Sequence, residues 1–296
     1  MSSDAPPQQA CTDFKKVKLT KKMKIDVWSL ADMKSCSVGD MVVLSTCNIL
    51  LTDWNNESLK IVDVQTGRML SVVQLLSSPD SLCLLPGNRA AVTLIKKKEI
   101  QIIDVSADQL TLRNSVNVKG RCCGLANMND TFIVGFMNPG CVAIVNFEGK
   151  RLKSVSKDNT GKLLFSCPRF ICVATEKNVS FIYVSDRFTN TIARLSEELD
   201  VLQTIKSPNE YEPFGVAATG GGQLLRREWH VKEKPRLCVL DTNTMVSTVL
   251  LEDEVEGTVL LFIGRVAICP RLGRVYFNTG WLDNMPIEFI QVYEIS

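Results

Sequence analysis

Short apolar segments separated by polar turns recur along the whole chain. The clearest one, "ILLTDWNNESLKIVD" at 49–63, is a run of branched apolar residues that breaks at a polar turn and then resumes in looser alternation. Segments of four to seven residues rich in Val, Ile, Leu and Phe, bounded by Gly, Asn, Asp and Pro, are typical of antiparallel β-strands. No sustained helical periodicity competes with this pattern, so the chain is predicted to be all-β.

The same unit occurs six times, at intervals of about 40 to 50 residues. Its second strand is predicted to start near residues 49, 91, 132, 181, 223 and 274. A short apolar strand and a tight turn precede each copy, and a fourth strand-like segment such as "MLSVVQL" follows most copies. Four strands per unit at this period predict a β-propeller, in which each blade packs on its neighbours.

The ends of the chain determine the predicted blade count. The sixth copy supplies three strands, and the segment "KKVKLTKKMKIDVW" at 15–28 has strand character but lies outside the six units. This segment is predicted to add the outer strand of the last blade, which closes the ring and removes an open sheet edge. Seven blades would also fit the length, but no seventh copy is found. We therefore predict a disordered tail at 1–12 and a single six-bladed propeller at 13–296.

Composition excludes several classes of function. The net charge is only +2, so there is no global attraction to nucleic acid or membranes. The beginning of the sequence has no apolar export signal, and no apolar run is long enough for a membrane span, so we expect a cytoplasmic protein with no membrane contact. The eleven cysteines are expected to be reduced core residues, with the adjacent Cys122 and Cys123 as the pair most open to another role. One histidine and no C-x2-C spacing argue against a zinc site.

Two units carry a recognisable family pattern. The segments "PRFICVATEKNVSFIYVSDRFTNTIARL" and "PFGVAATGGGQLL" resemble the NHL repeat, in which an apolar strand leads through a glycine-containing turn to an Asp and then an Asn. Asp53 and Asn56 take those positions in the first unit, and Asp186 and Asn190 take them in the fourth. The second, fifth and sixth units depart from the pattern. The set of repeats as a whole is similar to the C-terminal β-propellers of tripartite-motif proteins.

The resemblance implies a non-catalytic scaffold that recognises a protein partner, in a role linked to ubiquitination. The alternative that it implies is RNA recognition in post-transcriptional regulation. Without zinc-ligand spacing or heptads, the chain is not expected to be a RING ligase itself. A third alternative, a calcium-dependent lactonase or esterase propeller, is less favoured because the inner strands offer Asn127 and otherwise apolar residues. We therefore expect no catalytic residues, no metal and no cofactor.

The loops between the second and third strands are predicted to share one face of the propeller. Loops on a rigid scaffold often carry binding residues, and aromatic and basic side chains suit both peptides and single-stranded RNA. An alternative is that these aromatic residues fold back as lids and that the lysines are a solvated edge. The predicted partner-binding face consists of Trp54, Asn55, Lys96, Lys97, Lys98, Phe136, Arg187, Phe188, Arg226, Arg227, Trp229 and Trp281.

Overall fold

The computed structural model describes residues 12–176, 178–207, 211–230, 235–252, 266–278 and 289–296. These residues form six four-stranded antiparallel sheets, which confirms the predicted six-bladed propeller. The predicted tail at 1–12 lies, apart from Thr12, outside the described residues. Among the described residues, no helix has the length and apolar character needed to cross a bilayer.

Five blades use four consecutive strands each, ordered from the axis outward. Blade 1 contains β2 (Val38–Val43), β3 (Ile49–Asp53), β4 (Ser58–Val62) and β5 (Met69–Gln74). Blade 2 contains β6 (Pro79–Leu85), β7 (Arg89–Leu94), β8 (Glu99–Val105) and β9 (Leu110–Asn117). Blade 3 contains β10 (Arg121–Met128), β11 (Thr131–Met137), β12 (Cys141–Asn146) and β13 (Arg151–Val155). Blade 4 contains β14 (Pro168–Glu176), β15 (Val179–Asp186), β16 (Thr191–Ser196) and β17 (Val201–Lys206). Blade 5 contains β18 (Glu212–Gly220), β19 (Gln223–Trp229), β20 (Arg236–Asp241) and β21 (Ser247–Glu252).

The sixth blade joins the two ends of the described chain. Its inner strands are β22 (Val266–Cys269), β23 (Arg274–Asn278) and β24 (Phe289–Ile295), and its outer strand is β1 (Leu19–Asp26). Strand β1 pairs antiparallel with β24, from Leu19 opposite Ile295 to Asp26 opposite Phe289. The predicted closure by the early segment is therefore confirmed. Two short 3-10 helices, Phe14–Lys16 and Pro270–Leu272, complete the described elements.

The hydrophobic core lies between neighbouring blades. Successive side chains on a strand point to opposite faces of the sheet, so each blade offers one apolar face to each neighbour. Five clusters of buried residues fill these interfaces, and the one at the ring closure takes residues from blades 5, 6 and 1. Every residue of β3 and β4 is buried, including the polar Asp53 and Lys60, so neither strand has a face toward solvent.

The innermost strands surround an axial cavity of about 420 Å³. Its lining includes apolar residues from all six blades, among them Met41, Leu82, Ile171 and Val216, together with the polar Asp40 and Asn127. The carboxylate of Asp40, which the sequence analysis did not single out, accepts hydrogen bonds from the Leu82 N–H at 2.6 Å and from its neighbour Met41 at 2.8 Å. Asp40 thus binds blade 1 to blade 2.

Candidate binding surface

One face of the propeller carries both the loops between the second and third strands and the connections between blades. Three of these loops end in a left-handed residue: Glu57, Lys98 and Asn190, with φ of 49°, 59° and 55°. The carbonyl oxygen of each accepts a hydrogen bond, at 2.7 to 3.0 Å, from the N–H of the first residue after the outer strand of the same blade. We call this surface the loop face. Its loops and connections are bonded together and do not project independently.

A buried lysine organises the loop face at blade 1. The ammonium of Lys60 lies 2.6 Å from an Asp32 carboxylate oxygen, 2.8 Å from Asp53 and 3.2 Å from the Cys36 sulfur. It also donates to the Val27 carbonyl at 3.0 Å. Asp32, Cys36 and Asp53 converge closely enough to hold a cation, and the lysine ammonium supplies that charge.

The charges in this network stabilise one another. Burial alone would raise the pKa of the Asp53 carboxyl, but hydrogen bonds from Lys60, Ser37 and Asn56 outweigh it and lower that pKa. Burial alone would lower the pKa of Lys60, and the carboxylates of Asp32 and Asp53 instead raise it. Asp53 and Lys60 are therefore both charged at neutral pH. Burial also raises the pKa of the Cys36 thiol far above its usual value, so the thiol stays protonated.

Asn56 clamps the connection between blades 6 and 1 onto this network. Its side-chain oxygen accepts hydrogen bonds from the Met33 and Lys34 N–H groups at 3.1 and 2.9 Å. Its amide nitrogen donates to the Lys34 carbonyl at 2.8 Å and to Asp53 at 2.9 Å. The Asp and Asn that carry the NHL resemblance in this unit are therefore structural, since they hold an adjacent connection in place.

Large apolar side chains protrude from the connections held in this way. Leu30 is 94% exposed, Met33 is 92% exposed and Leu76 is 79% exposed, while Trp28 is nearly half exposed. Leu76 is held next to the same loop, because the Leu75 N–H donates to the Glu57 carbonyl at 2.7 Å. Trp54, half-buried, belongs to that loop. We define the blade 1 patch as Trp28, Leu30, Met33, Trp54 and Leu76.

A basic segment adjoins the blade 1 patch. Leu75 of the connection and Leu94 at the end of β7 belong to one buried cluster between blades 1 and 2. Pro79 pairs with Leu94, so the connection that carries Leu76 and the loop 95–98 leave the same end of the β6–β7 pair. Within that loop, Lys96, Lys97 and Lys98 are all exposed.

The structure divides the sequence-predicted face into accessible and buried residues. Lys96, Lys97, Lys98 and Phe188 are exposed, whereas Trp54, Asn55 and Arg187 are half-buried. The Arg187 guanidinium bonds Glu212 at 2.6 Å and lies against the Phe188 and Phe214 rings. Trp281 lies outside the described residues.

Four of the predicted face residues are buried instead of accessible: Phe136, Arg226, Arg227 and Trp229. The reason is that β11 extends through Phe136 and β19 extends through Trp229, so these residues lie in sheets and not in loops. The Arg226 guanidinium is neutralised in the interior by Glu228 at 2.5 Å, and Arg227 lies over the Phe277 ring at 4.6 Å. These side chains contribute to packing between blades.

Sequence reasoning missed Trp28, Leu30, Met33 and Leu76 because it examined only the loops inside each repeat. A usable signal was present in "VWSLADM" and "QLLSS", where apolar residues follow an outer strand and precede the next inner strand. The same segments also contain the buried Val27 and Leu75, so this signal indicates the segment and not which of its residues are exposed.

Comparison with known proteins supports the fold. No protein-family model matches the chain, and no curated protein sequence is significantly similar to it. Among solved structures, the WD40 repeats of RRP9 superpose with a TM-score of 0.65 at 11% identity, covering 94% of this chain and 100% of that one. The PQQ-bound aldose sugar dehydrogenase of Streptomyces coelicolor gives 0.63 at 14% identity, covering 95% and 99%.

A lyase structure shows a similar likeness. Virginiamycin B lyase from Staphylococcus aureus, in its inactive form with quinupristin, gives a TM-score of 0.58 at 15% identity, covering 94% of this chain and 88% of that one. A WD40-repeat protein, a dehydrogenase and a lyase thus all superpose on this chain. The chain is a six-bladed β-propeller that resembles all three groups in fold, and fold does not select among their functions.

Proposed function

We propose that the chain is a non-catalytic binding propeller that recognises a protein partner through the blade 1 patch. The observation that carries this proposal is the set of largely exposed apolar side chains, Leu30, Met33 and Leu76. The buried ion network holds the connection with Leu30 and Met33, and the Leu75–Glu57 hydrogen bond holds the connection with Leu76. Exposed apolar groups that form a contiguous patch mark interaction sites. A pre-ordered backbone reduces the entropy that binding must overcome.

The chemistry of the surface indicates the kind of partner. An apolar patch bordered by Lys96, Lys97 and Lys98 complements a segment that combines apolar anchors with Asp or Glu. The aromatic rings of Trp28 and Trp54 suit the role of interface anchors, since Trp is enriched among residues that dominate binding energy. We therefore propose an acidic, amphipathic protein segment as the ligand.

The resemblance to NHL units supports a protein-recognition role of the kind found in tripartite-motif proteins, and a link to ubiquitination is part of this proposal. RNA recognition is the competing function. The exposed lysines and the Trp28 and Trp54 rings favour it, whereas the most exposed members of the patch, Leu30, Met33 and Leu76, do not provide stacking platforms for bases. The structure thus supports the protein partner more strongly.

Proximity labelling with the full chain tests the proposal. We expect the variant L30S/M33S/L76S to lose its specific partners, because three anchors of about 1 kcal/mol or more each change affinity by roughly a hundredfold. The control is L152S/V179S/L202S, whose residues are half exposed and lie at strand starts on the opposite face. The control should retain the partners of the wild type.

Two outcomes would reject the protein-binding surface. One is an unchanged partner set in the L30S/M33S/L76S variant. The other is salt-dependent RNA crosslinking that persists in that variant and disappears in K96E/K97E/K98E, since this result would assign the loop face to RNA.

A further inference from the structure

The segment 165–168, which leads into blade 4, is seated on three glycines of blade 3. A Cβ atom at Gly124 or Gly135 would overlap the Pro168 carbonyl oxygen, and one at Gly140 would overlap the Phe165 carbonyl. Only glycine allows the two backbones to approach this closely. The segment is therefore packed directly against blade 3, with no intervening side chains at these points.

Hydrogen bonds fix the same segment from the other side. A carboxylate oxygen of the buried Asp186 accepts the N–H groups of Ser166 and Cys167, both at 2.7 Å. The other oxygen of Asp186 accepts the Phe188 N–H at 3.0 Å. The backbone of Cys167 is thus fixed between the glycines of blade 3 and the Asp186 carboxylate. Its side chain is half-buried, so small solutes can reach it.

A second cysteine faces Cys167 across the blade boundary. Neighbouring strand residues point to opposite faces, so Cys122 and Cys123 do not meet. The Cys122 thiol donates to the Glu99 carbonyl at 3.4 Å. The Cys123 thiol lies 3.4 Å from the Gly135 carbonyl of its own blade and 3.5 Å from the Pro168 carbonyl across the boundary, next to Cys167, whose thiol it is close enough to interact with. The adjacent pair singled out from the sequence is therefore replaced by Cys123 and Cys167.

The charges around the two thiols differ. The hydrogen bond from Cys123 lowers the pKa of Cys167, and the nearby Arg169 charge adds to this effect, so that together they outweigh burial. The same hydrogen bond and burial raise the pKa of Cys123 well above its usual value. Arg169 is itself positioned by Asp80, whose carboxylate accepts from Nε at 3.0 Å. Cys167 is thus the more acidic of the two thiols and Cys123 the less acidic.

We propose that Cys167 and Cys123 form a peroxide-sensitive thiol pair that closes to a disulfide between blades 3 and 4. The Cys167 thiolate attacks one oxygen of hydrogen peroxide, which breaks the O–O bond and yields a Cys167 sulfenic acid and hydroxide, which is protonated to water. The Cys123 sulfur then attacks the Cys167 sulfur, and the S–O bond breaks. The hydroxide that leaves takes the Cys123 proton and departs as water. Overall, two thiols and one hydrogen peroxide give one disulfide and two waters.

Mass spectrometry of the full chain tests this pair. The protein is treated with hydrogen peroxide, its free thiols are blocked, and tryptic peptides are mapped without reduction. We expect a peptide beginning at Cys122 crosslinked to "LLFSCPR" at 163–169. The crosslink should be lost in C123S and in C167S and retained in C122S. A crosslink that survives in C123S, or none in the wild type, would overturn the proposal.

Two further measurements remain informative even where a variant folds poorly. In C123S, dimedone should trap a sulfenic acid at Cys167, and failure to trap one would contradict the assigned order of attack.

In the native wild type, iodoacetamide should alkylate Cys167 about tenfold faster than the similarly half-buried Cys172. Replacing Arg169 by Gln should slow this alkylation by about threefold for each unit by which the Cys167 pKa rises, whereas R169K should preserve the rate. Equal rates at Cys167 and Cys172 would overturn the proposal.

Discussion

Lys60 donates a hydrogen bond to Asp53 over 2.8 Å at a position where neither side chain is reached by solvent. Asp53 in turn accepts the N–H of Ser37 in the connection that enters blade 1. One buried cation thus orders both the loop 54–57 and the connection that presents Leu30 and Met33. The proposed binding surface is therefore coupled to the stability of the blade interior.

Replacing Lys60 by Met should destabilise the protein by about 3 to 5 kcal/mol. The substitution leaves two buried carboxylates without their cation, and an uncompensated buried charge is strongly unfavourable. Urea unfolding at pH 7 measures the change. The control K153M removes a lysine whose partners Glu198 and Asp200 are exposed, and it should cost less than about 1 kcal/mol. A loss below about 1 kcal/mol for K60M would show that the network does not order blade 1.

Stability should fall as the pH rises from about 9 toward 12. Burial raises the pKa of both Cys122 and Cys238 to about 12, from an ordinary value near 9. When the pKa of a group is higher in the folded protein than in the unfolded chain, the group contributes its full stabilisation below the unfolded pKa. This stabilisation is lost as the pH rises toward the folded pKa. Each such thiol contributes a slope of at most about 1.4 kcal/mol per pH unit in this window.

Urea midpoints between pH 8 and 10.5, measured under reducing conditions, test this dependence. The double variant C122A/C238A should have a shallower slope than the wild type, by up to about 2.7 kcal/mol per pH unit. Identical slopes in the two proteins would mean that these thiols do not resist ionisation in the folded state.

Replacing Gly135 by Ala should destabilise the boundary between blades 3 and 4 by about 1 to 3 kcal/mol, and more if the backbone cannot shift. The added methyl group would overlap the Pro168 carbonyl, which is backbone and moves only with its strand. Gly39 offers the matched control, since its nearest neighbour is the Thr52 Oγ1 at 3.1 Å, a side-chain atom. If G135A proves as stable as G39A in thermal unfolding, the proposed glycine seat is not tight.

Replacing Ile25 by Ala should weaken the ring closure by about 2 to 5 kcal/mol. Ile25 is buried in the cluster that joins blades 5, 6 and 1, and its strand β1 pairs with β24. Thr20 on the same strand is exposed, so T20A should have little effect. Hydrogen exchange of the β24 amides should increase in I25A and not in T20A. Unchanged protection in I25A would contradict a closing role for β1.

The repeat could be read from the sequence because the central strands are buried on both faces. The second strands begin at residues 49, 89, 131, 179, 223 and 274, each within two residues of the predicted start. The distinction between strand and loop was harder in blade 5. There Arg226 and Glu228 neutralise each other inside the sheet, and from sequence such a pair looks like a solvated turn.

The binding surface was less accessible to sequence reasoning than the fold. Lys96, Lys97 and Lys98 could be placed because their loop has a fixed place in the repeat. Leu30, Met33 and Leu76 lie between repeats, where no periodic pattern distinguishes a buried leucine from an exposed one. Their exposure follows from contacts such as the one between Asn56 and Met33, which are remote in sequence.

The pairing of β1 with β24 has a consequence for biosynthesis. The sixth sheet combines residues 19–26 with residues 266–295, so it cannot assemble on the ribosome until β24 has been translated. Blades 1 to 5 can form in order as they emerge, with the β1 segment unpaired and the end blades uncovered throughout. The nascent propeller therefore exposes unsatisfied strand edges until β24 emerges, and this interval is the one in which chaperones can bind them.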